Sequence, residues 1–183
     1  MKERKNWKDH FVTPIYTLAS FEIQLPRSTE EKTYHVLKSN NWVNVVPVTK
    51  DGNILMIEQY RHGIGEMSLE IPGGIVDEQE SGAELQAVIR ELREETGYST
   101  NKENYTLLSK FSGNPAMFTN WSFSFFAKDV ELTDPVEFDE GEDIQIKILK
   151  PKEVKQKLVS GEIHHPHMAA ALGIYFLKYD PLS

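Results

Sequence analysis

Residues 73–98 read GGIVDEQESGAELQAVIRELREETGY, and they are the most informative segment of the chain. Its second half predicts a helix from about residue 82 to residue 96, because apolar side chains recur there at helical spacing. Gly97 is the residue type expected just after a helix ends. On a helical wheel, one arc of roughly 100° holds Leu85, Val88, Ile89, Leu92 and Thr96. That face should pack on a sheet.

The same helix carries a second face made of carboxylates, Glu84, Glu91, Glu94 and Glu95. Like charges one turn apart repel each other, and the repulsion grows in a cleft. A hard divalent cation such as Mg²⁺ would relieve the repulsion, since such ions prefer oxygen ligands. The alternative interpretation is an ordinary solvated helix surface, which is what most acidic runs are.

Strand-like segments lie on both sides of this helix. Residues 15–48 are rich in β-branched and aromatic residues separated by turn residues, and they predict three strands. Segments 42–49 and 53–60 should form a hairpin, because Asp51-Gly52 supplies the positive φ angles of a tight turn. Further strands are predicted at 68–71, 105–111, 121–129 and 144–149, and further helices at 151–159 and 166–178. This mixture predicts an α/β fold, with α+β as the alternative.

Composition excludes several classes of partner. A net charge of -8 argues against binding to nucleic acid or to an anionic membrane, since both require clustered Lys and Arg. The 183 residues include no Cys, which excludes disulfides, thiolate zinc sites and a cysteine nucleophile. Residues 1–10 are charged, and no apolar run is long enough to cross a bilayer. We therefore expect a cytoplasmic protein.

Two parts of the opening stretch resemble the Nudix box: GIVDEQE at residues 74–80 and RELREETGY at residues 90–98. The family pattern is Gly, five residues, Glu, seven residues, then Arg-Glu-aliphatic-x-Glu-Glu-x-Gly-aliphatic. The second half of the box matches closely. Nine residues separate Glu80 from Arg90 where the pattern has seven, so a two-residue insertion precedes the helix and no role is assigned to Glu80.

The resemblance implies an α/β/α sandwich with a mixed sheet and a metal-dependent phosphoryl-transfer site. By position in the box, Glu91, Glu95 and the carbonyl of Gly73 would bind Mg²⁺, with Mn²⁺ as a substitute. Glu94 would act beside them as a catalytic residue. Arg90 would orient the glutamates through a salt bridge.

Outside the box, the chain resembles the ADP-ribose pyrophosphatase and nucleoside diphosphate sugar hydrolase branch of the family. The resemblance lies in EQYRH at 58–62, LEIPGG at 69–74, EGEDI at 140–144 and GEI at 161–163. In that branch the strand ending in Tyr-Arg delivers an arginine to the substrate, so Arg61 should bind the diphosphate, where a planar fork of donors suits phosphate oxygens. The alternative for Arg61 is a surface salt bridge of little energetic value. Glu70 and Met117 are assigned to substrate binding with it.

An acidic run at residues 131–143 precedes the last predicted strand. Its ordinary interpretation is a solvated loop. In the resembled branch, a loop at this place supplies a glutamate that helps to activate water, so Glu140 and Glu142 are the candidates for the catalytic base or for a ligand of a third metal.

Relatives in this branch are commonly homodimers in which an N-terminal β-segment packs on the partner. Residues 1–40 should be such an antiparallel dimerisation arm, and residues 41–183 the Nudix hydrolase domain. Three aromatic residues could stack on a base, although a core position is the stronger interpretation for each: Phe21, Tyr34 and Trp42. A histidine cluster, His164, His165 and His167, is interpreted as surface residues, because no regular spacing places them around one ion.

The predicted function is hydrolysis of the pyrophosphate bond of a nucleoside diphosphate sugar, ADP-ribose first, to a nucleoside monophosphate and a sugar phosphate. The alternatives are a GDP-mannose or ADP-glucose hydrolase and, more distantly, a nucleoside triphosphate pyrophosphohydrolase. A catalytically silent nucleotide-binding module is the alternative outside the enzymes. The presence of Glu91, Glu94 and Glu95, and the absence of a basic DNA-reading segment, weaken that last reading.

Overall fold

The structure, a computed structural model, describes residues 3–77, 82–137 and 143–179. Its helices are α1 (Ala83–Thr96), α2 (Pro151–Ser160) and α3 (Pro166–Tyr179). Its first strands are β1 (Lys5–Val12), β2 (Thr17–Gln24), β3 (Glu31–Lys38), β4 (Trp42–Thr49) and β5 (Ile54–Arg61). The later strands are β6 (Glu66–Glu70), β7 (Gly73–Ile75), β8 (Tyr98–Ser99), β9 (Tyr105–Ser112), β10 (Trp121–Leu132) and β11 (Ile144–Leu149). In the described ranges, we find no helix with the length and apolarity that crossing a membrane demands.

The first three strands form a small antiparallel sheet in the order β1-β2-β3. The predicted antiparallel β-segment at the N-terminus is therefore confirmed, although the sequence pattern predicts only β2 and β3. Every residue of β1 is exposed. An exposed strand has no buried face, so its sequence shows no alternation of apolar and polar residues.

The second sheet contains the remaining described strands, with β11-β5-β4-β10-β8 as its main order. The sheet is mixed, because β4 runs parallel to β10 while the other strand pairs of the sheet are antiparallel. The predicted hairpin between β4 and β5 is present, with Gly52 at a φ of 78° in its turn. The two strands pair next to the turn, at Val48 and Ile54, and at its other end β4 pairs with β7.

Helices cover both faces of this mixed sheet. On one face, α1 buries Ala83, Ala87, Val88 and Leu92 against apolar residues of β4, β5 and β10. On the other face, α2 and α3 pack against β4, β5 and β6, and α3 buries Met168, Ala171, Leu172, Tyr175 and Phe176 there. The predicted α/β/α sandwich is therefore confirmed. Each helix buries one apolar stripe, as expected for helices that pack on a sheet.

The small sheet is joined to the body by main-chain hydrogen bonds at the end of β3. The amide of Leu37 donates to the carbonyl of Met117 at 2.8 Å, and the amide of Thr119 donates to the carbonyl of Leu37 at 3.0 Å. Phe118 lies between those two partners and forms a parallel bridge with Leu37.

Candidate active site

The bend at Pro72 leads into Gly73 and Gly74, the first residues of β7, and this turn contacts two carboxylates of α1. The amide of Gly73 donates to Oε2 of Glu95 at 3.0 Å, and Glu95 is buried with 3% of its surface exposed. A Cβ atom on Gly74 would overlap the carboxylate of Glu91. A Cβ atom on Gly73 would overlap the carbonyl of Val43 and the side chain of Asn44. Glycine at both positions therefore lets the turn contact α1 on one side and β4 on the other.

Arg90 lies beside these carboxylates and pairs with three acidic groups. Its Nη2 atom is 2.9 Å from Oε1 of Glu91 and 3.3 Å from Oδ2 of Asp77, and its Nη1 atom is 2.8 Å from Oε2 of Glu94. The guanidinium reduces the repulsion between neighbouring glutamates on α1. Glu84 does not join them, because it lies in the first turn of α1 and accepts a hydrogen bond from Nδ2 of Asn41 at 3.4 Å.

The donors around the turn suit a hard divalent ion. Glu91, Glu95 and the backbone of Gly73 offer only oxygen ligands, which Mg²⁺ prefers to nitrogen or sulfur. In residues 3–77, 82–137 and 143–179, no three His, Asp or Glu side chains form a group that could hold a metal ion. The oxygen donors of Glu91, Glu95 and Gly73 nevertheless fit Mg²⁺ in their chemistry. In this arrangement, Arg90 and the Gly73 amide already bind several of the carboxylate oxygens.

Arg61 ends β5 and binds Glu70 of β6. Its Nε donates to Oε1 of Glu70 at 2.7 Å, and its Nη2 donates to Oε2 at 2.6 Å. Glu70 has no exposed surface, whereas 37% of the Arg61 side chain is exposed. Burial would raise the pKa of the Glu70 carboxyl, but the hydrogen bonds and charge of Arg61, together with the charge of His165, outweigh burial, and the pKa lies below its usual value of 4.5. Arg61 is thus half-buried, and its guanidinium is held by two hydrogen bonds to a buried carboxylate. An exposed surface salt bridge has neither feature.

A cleft of about 480 Å³ opens between the mixed sheet and the start of α3, and we call it the sheet cleft. Arg61 and the Gly73-Gly74 turn line one part of it. Aromatic rings line another: the ring centroid of Trp42 is 5.5 Å from that of Phe118 and 5.3 Å from that of His167. The sheet cleft therefore brings together an arginine, the turn that contacts the α1 carboxylates, and an aromatic wall.

A second cleft of about 750 Å³ adjoins the first, and we call it the loop cleft because residues 59–64 line it. Both clefts share Arg61, His165 and Pro166. Arg61 therefore lies between them.

Comparison with known proteins identifies the family. A family model described as the NUDIX domain matches residues 39–171. The chain belongs to the Nudix family. The predicted resemblance to this family is confirmed.

Individual relatives cover most of the chain. The ADP-ribose pyrophosphatase of Bacillus subtilis strain 168 is 28% identical over 159 residues, which are 86% of this chain and 83% of that protein. An uncharacterized Nudix hydrolase of Schizosaccharomyces pombe is 33% identical over 125 residues, which are 64% of this chain and 58% of that protein. The match thus spans less than two thirds of the yeast relative. The crystal structure of an ADP compounds hydrolase has a TM-score of 0.81 at 22% identity, covering 99% of this chain and 97% of that one, so the two share a fold.

Two histidines of this Nudix protein are not the surface residues that the sequence predicts. His165 and His167 are half-buried and line the sheet cleft, whereas His164 is exposed. Burial lowers the pKa of His165 below 6.5, with Arg61 and His164 acting in the same direction and Glu70 opposing them. Burial also lowers the pKa of His167, and His165 adds to this effect. The prediction was wrong because α3 begins against the sheet, which a one-dimensional pattern does not reveal.

The core interpretation is confirmed for Phe21, but it was wrong for Tyr34, which is 37% exposed, and for Trp42, which lines the sheet cleft. Phe21 is 7% exposed, and its ring lies 6.1 Å from that of Tyr34 in the small sheet, which agrees with a packing position. Trp42 is half-buried and lines the sheet cleft, so it has the contact surface that stacking requires. Met117 is 50% exposed and binds Leu37 through its carbonyl. Its neighbour Phe118, rather than Met117, lines the cleft.

The remaining predicted site residues either have no exposed surface or lie outside the described residues. Glu70 contacts Arg61 and has no surface open to a ligand, so its direct contact with substrate stays a prediction. Glu80, Asp139, Glu140 and Glu142 lie outside the described residues. Asp143, the next described residue of the acidic run, lines the loop cleft.

Two polar residues of the sheet cleft were not predicted from the sequence. Asn44 and Ser122 are each 1% exposed and line the cleft. The available signal was a polar side chain inside an otherwise apolar strand, since Asn44 interrupts the run from Val43 to Val48. A polar residue buried in a sheet requires a partner, and its presence is therefore informative.

Proposed function

We propose that this protein hydrolyses the pyrophosphate bond of a nucleoside diphosphate sugar, with ADP-ribose as the preferred substrate. One observation carries the proposal: the turn that contacts Glu91 and Glu95 lines the same cleft as Arg61. Similarity to the ADP-ribose pyrophosphatases of B. subtilis and Mycobacterium tuberculosis supports the choice of substrate. The latter is 40% identical over 83 residues, which are 45% of this chain and 39% of that protein.

We further propose that Glu91, Glu95 and the Gly73 carbonyl hold Mg²⁺, with Mn²⁺ as a substitute. When bound, the ion would neutralise charge on the diphosphate, which is much of what phosphoryl transfer requires. Arg90 keeps Glu91 and Glu94 close together despite their like charge. Because the carboxylates are held before the ion binds, little reorganisation of α1 is needed.

The remaining roles follow from position. Arg61 binds phosphate oxygens of the substrate at the boundary between the two clefts, and Glu70 fixes the direction of its guanidinium. A water molecule forms a bond to one phosphorus, the bridging P–O bond breaks, and Glu140 or Glu142 accepts the proton that water loses, with Glu94 supporting the site. Met117, the neighbour of Phe118 in sequence, binds the substrate at the edge of the sheet cleft.

The proposed dimer uses the small sheet. Four apolar residues of its first hairpin are strongly exposed in one chain: Trp7 (44%), Phe11 (61%), Val12 (69%) and Ile15 (65%). Several large apolar side chains exposed on one short segment are typical of a protein interface. We propose that residues 1–40 form an arm that packs on a second copy of the chain.

The test is a steady-state screen of ADP-ribose, ADP-glucose, GDP-mannose and nucleoside triphosphates with Mg²⁺, in which added phosphatase releases phosphate from the products. We expect kcat/KM for ADP-ribose to exceed the others by at least about tenfold, and a chelator to abolish turnover. Preference for GDP-mannose or ADP-glucose would refute ADP-ribose as the preferred substrate but would support hydrolysis of a pyrophosphate bond. No turnover of any diphosphate sugar would refute the reaction and indicate a binding module.

A further inference from the structure

The floor of the sheet cleft is polar where the strands around it are apolar. Asn44 of β4 and Ser122 of β10 lie on neighbouring parallel strands, with Asn44 in register with Ser124. Val43 and Val45 point into the core beneath α1, so alternation places Asn44 on the opposite face, toward α3. Ser122 shares that face, because Phe123 and Phe125 belong to the α1 side. The two polar side chains are therefore diagonal neighbours below the start of α3.

Both residues carry a buried polar atom that lacks a hydrogen-bond partner. Within residues 3–77, 82–137 and 143–179, no group bonds to Oδ1 of Asn44 or to Oγ of Ser122, and each residue is 1% exposed. Buried side-chain oxygens are nearly always satisfied in folded proteins. Two such atoms on the floor of one cleft indicate that a ligand supplies the missing partners.

The chemistry of the two atoms selects the ligand group. A carbonyl oxygen only accepts, so Oδ1 of Asn44 requires a donor, whereas Oγ of Ser122 can donate or accept. Phosphate oxygens that carry no proton cannot donate to Asn44. A hydroxyl group both donates and accepts, so neighbouring hydroxyls of a sugar satisfy both residues at once, in either orientation of the Asn44 amide.

Position places this floor beside the proposed diphosphate site. Asn44 is in register with Gly73, and the Gly73 backbone is packed directly on its side chain. A sugar on either end of a diphosphate held at Gly73 and Arg61 would reach the floor without leaving the sheet cleft.

We propose that Asn44 and Ser122 form a hydroxyl-binding subsite for a ribose of the substrate. The inference rests on the proposed function, since the diphosphate sets the position of the sugar. The ribose could be the terminal sugar or that of the nucleoside, and the substrates below separate the two. The subsite determines preference among diphosphate substrates, because a site built to bond hydroxyls rejects analogues that lack them.

The test compares Ser122→Ala and Asn44→Ala with Ser109→Ala, a matched control. Ser109 also has a buried hydroxyl without a partner among the described residues, but it does not line the sheet cleft. We would measure kcat/KM on ADP-ribose, on the P²-methyl ester of ADP, which has no terminal sugar, and on ADP-ribose with a 2′,3′-dideoxyadenosine half. Thermal melting of each variant is recorded alongside.

We expect Ser122→Ala to lower kcat/KM for ADP-ribose at least tenfold while its melting temperature stays equal to or above that of the wild type. Removing an unsatisfied buried hydroxyl should not destabilise the fold. If the terminal ribose binds, the methyl ester will show no loss. If the nucleoside ribose binds, the dideoxy substrate will show none.

Three outcomes overturn the subsite. One is activity within twofold of the wild type in both Asn44→Ala and Ser122→Ala. Another is an equal loss on all three substrates, and the third is a loss that follows a lowered melting temperature. If the wild type does not cleave ADP-ribose, the proposed function fails separately, and the subsite is then tested by titrating ribose 5-phosphate and adenosine by calorimetry. Binding of either that Ser122→Ala weakens tenfold supports the subsite, and equal or undetectable binding refutes it.

Discussion

Arg61 binds the buried carboxylate of Glu70 through two parallel hydrogen bonds, from Nε to Oε1 at 2.7 Å and from Nη2 to Oε2 at 2.6 Å. A planar guanidinium held in this way has one orientation. The pair joins the ends of β5 and β6, and it lies at the boundary of the sheet cleft and the loop cleft. Its energetic and functional contributions can be separated by mutation.

Arg61→Ala should destabilise the protein by about 3 kcal/mol, because it leaves the Glu70 charge buried without its partner. The double variant Arg61→Ala with Glu70→Gln should recover most of this stability, since the buried charge is removed as well. It should not recover activity. Urea unfolding and kcat/KM are the two measurements, and recovery of both would show that Arg61 has no direct role with the substrate.

Glycine substitutions in the turn should separate activity from stability. Gly74→Ala should displace the Glu91 side chain, which can move, and should reduce activity with little loss of stability. Gly73→Ala should shift the backbone at Val43 and lower the melting temperature by several degrees. Thermal melting and turnover distinguish the two. An active Gly74→Ala variant would contradict the requirement for Glu91 at its observed position.

Glu95→Gln should reduce turnover by about 100-fold or more, since charge stabilisation by a metal contributes several kcal/mol to such reactions. Glutamine keeps an oxygen that can accept from the Gly73 amide, so the fold should persist. Glu84→Gln, in the first turn of the same helix, is the control and should stay active. Isothermal titration with Mg²⁺ should show weaker binding in Glu95→Gln alone. Normal activity in this variant would refute the metal site.

Stability should fall as the pH is lowered through about 6.5. The folded pKa values of His165 and His167 lie below the ordinary value of 6.5, so the unfolded chain binds protons first. The stabilisation is therefore complete above about pH 6.5 and is lost as the pH falls toward the folded values. Glu70 adds a separate loss below about pH 4.5, where the unfolded carboxyl gains its proton while the folded one still resists it.

Melting curves at several pH values would test this dependence. His165→Gln should flatten the slope between pH 7.5 and 5.5. A slope in His165→Gln equal to that of the wild type would contradict the prediction.

Phe11→Ser combined with Ile15→Ser should convert the proposed dimer to a monomer. Both side chains are more than half exposed, so the substitutions should cost the folded chain little. Val159→Ser, at an 88% exposed position on α2, is the control. Sedimentation equilibrium gives the mass of each species. A dimer that persists in the double variant would place the interface elsewhere.

The sequence predicts the fold well where one face of an element is buried. The end of α1 follows from Gly97, which adopts a φ of 71° and donates its amide to the carbonyl of Arg93. The α1 face that packs on the sheet follows from the apolar spacing, and the hairpin turn follows from Asp51-Gly52. These features depend on local chemistry and a single periodicity, which a sequence contains directly.

Features that depend on distant contacts were missed. The burial of His165 comes from the docking of α3 on the sheet, and β1 is visible only through its pairing with β2. The sequence analysis chose Arg61 and Glu70 as site residues, but it did not predict the hydrogen bonds between them, which join β5 to β6. Asn44 and Ser122 are far apart in sequence, and only the parallel pairing of β4 with β10 brings them together.

The attachment of β3 at Leu37 limits how the N-terminal arm can be exchanged. Leu37 is bonded to the segment that holds Phe118 in the aromatic wall of the sheet cleft. A shortened chain or a chimaera in which a foreign arm replaces the native one must keep an extended residue at position 37 with its amide and carbonyl toward that segment. An exchange that ends before this residue changes only the proposed dimer arm, whereas one that includes it also reshapes the cavity that we propose to receive the nucleotide.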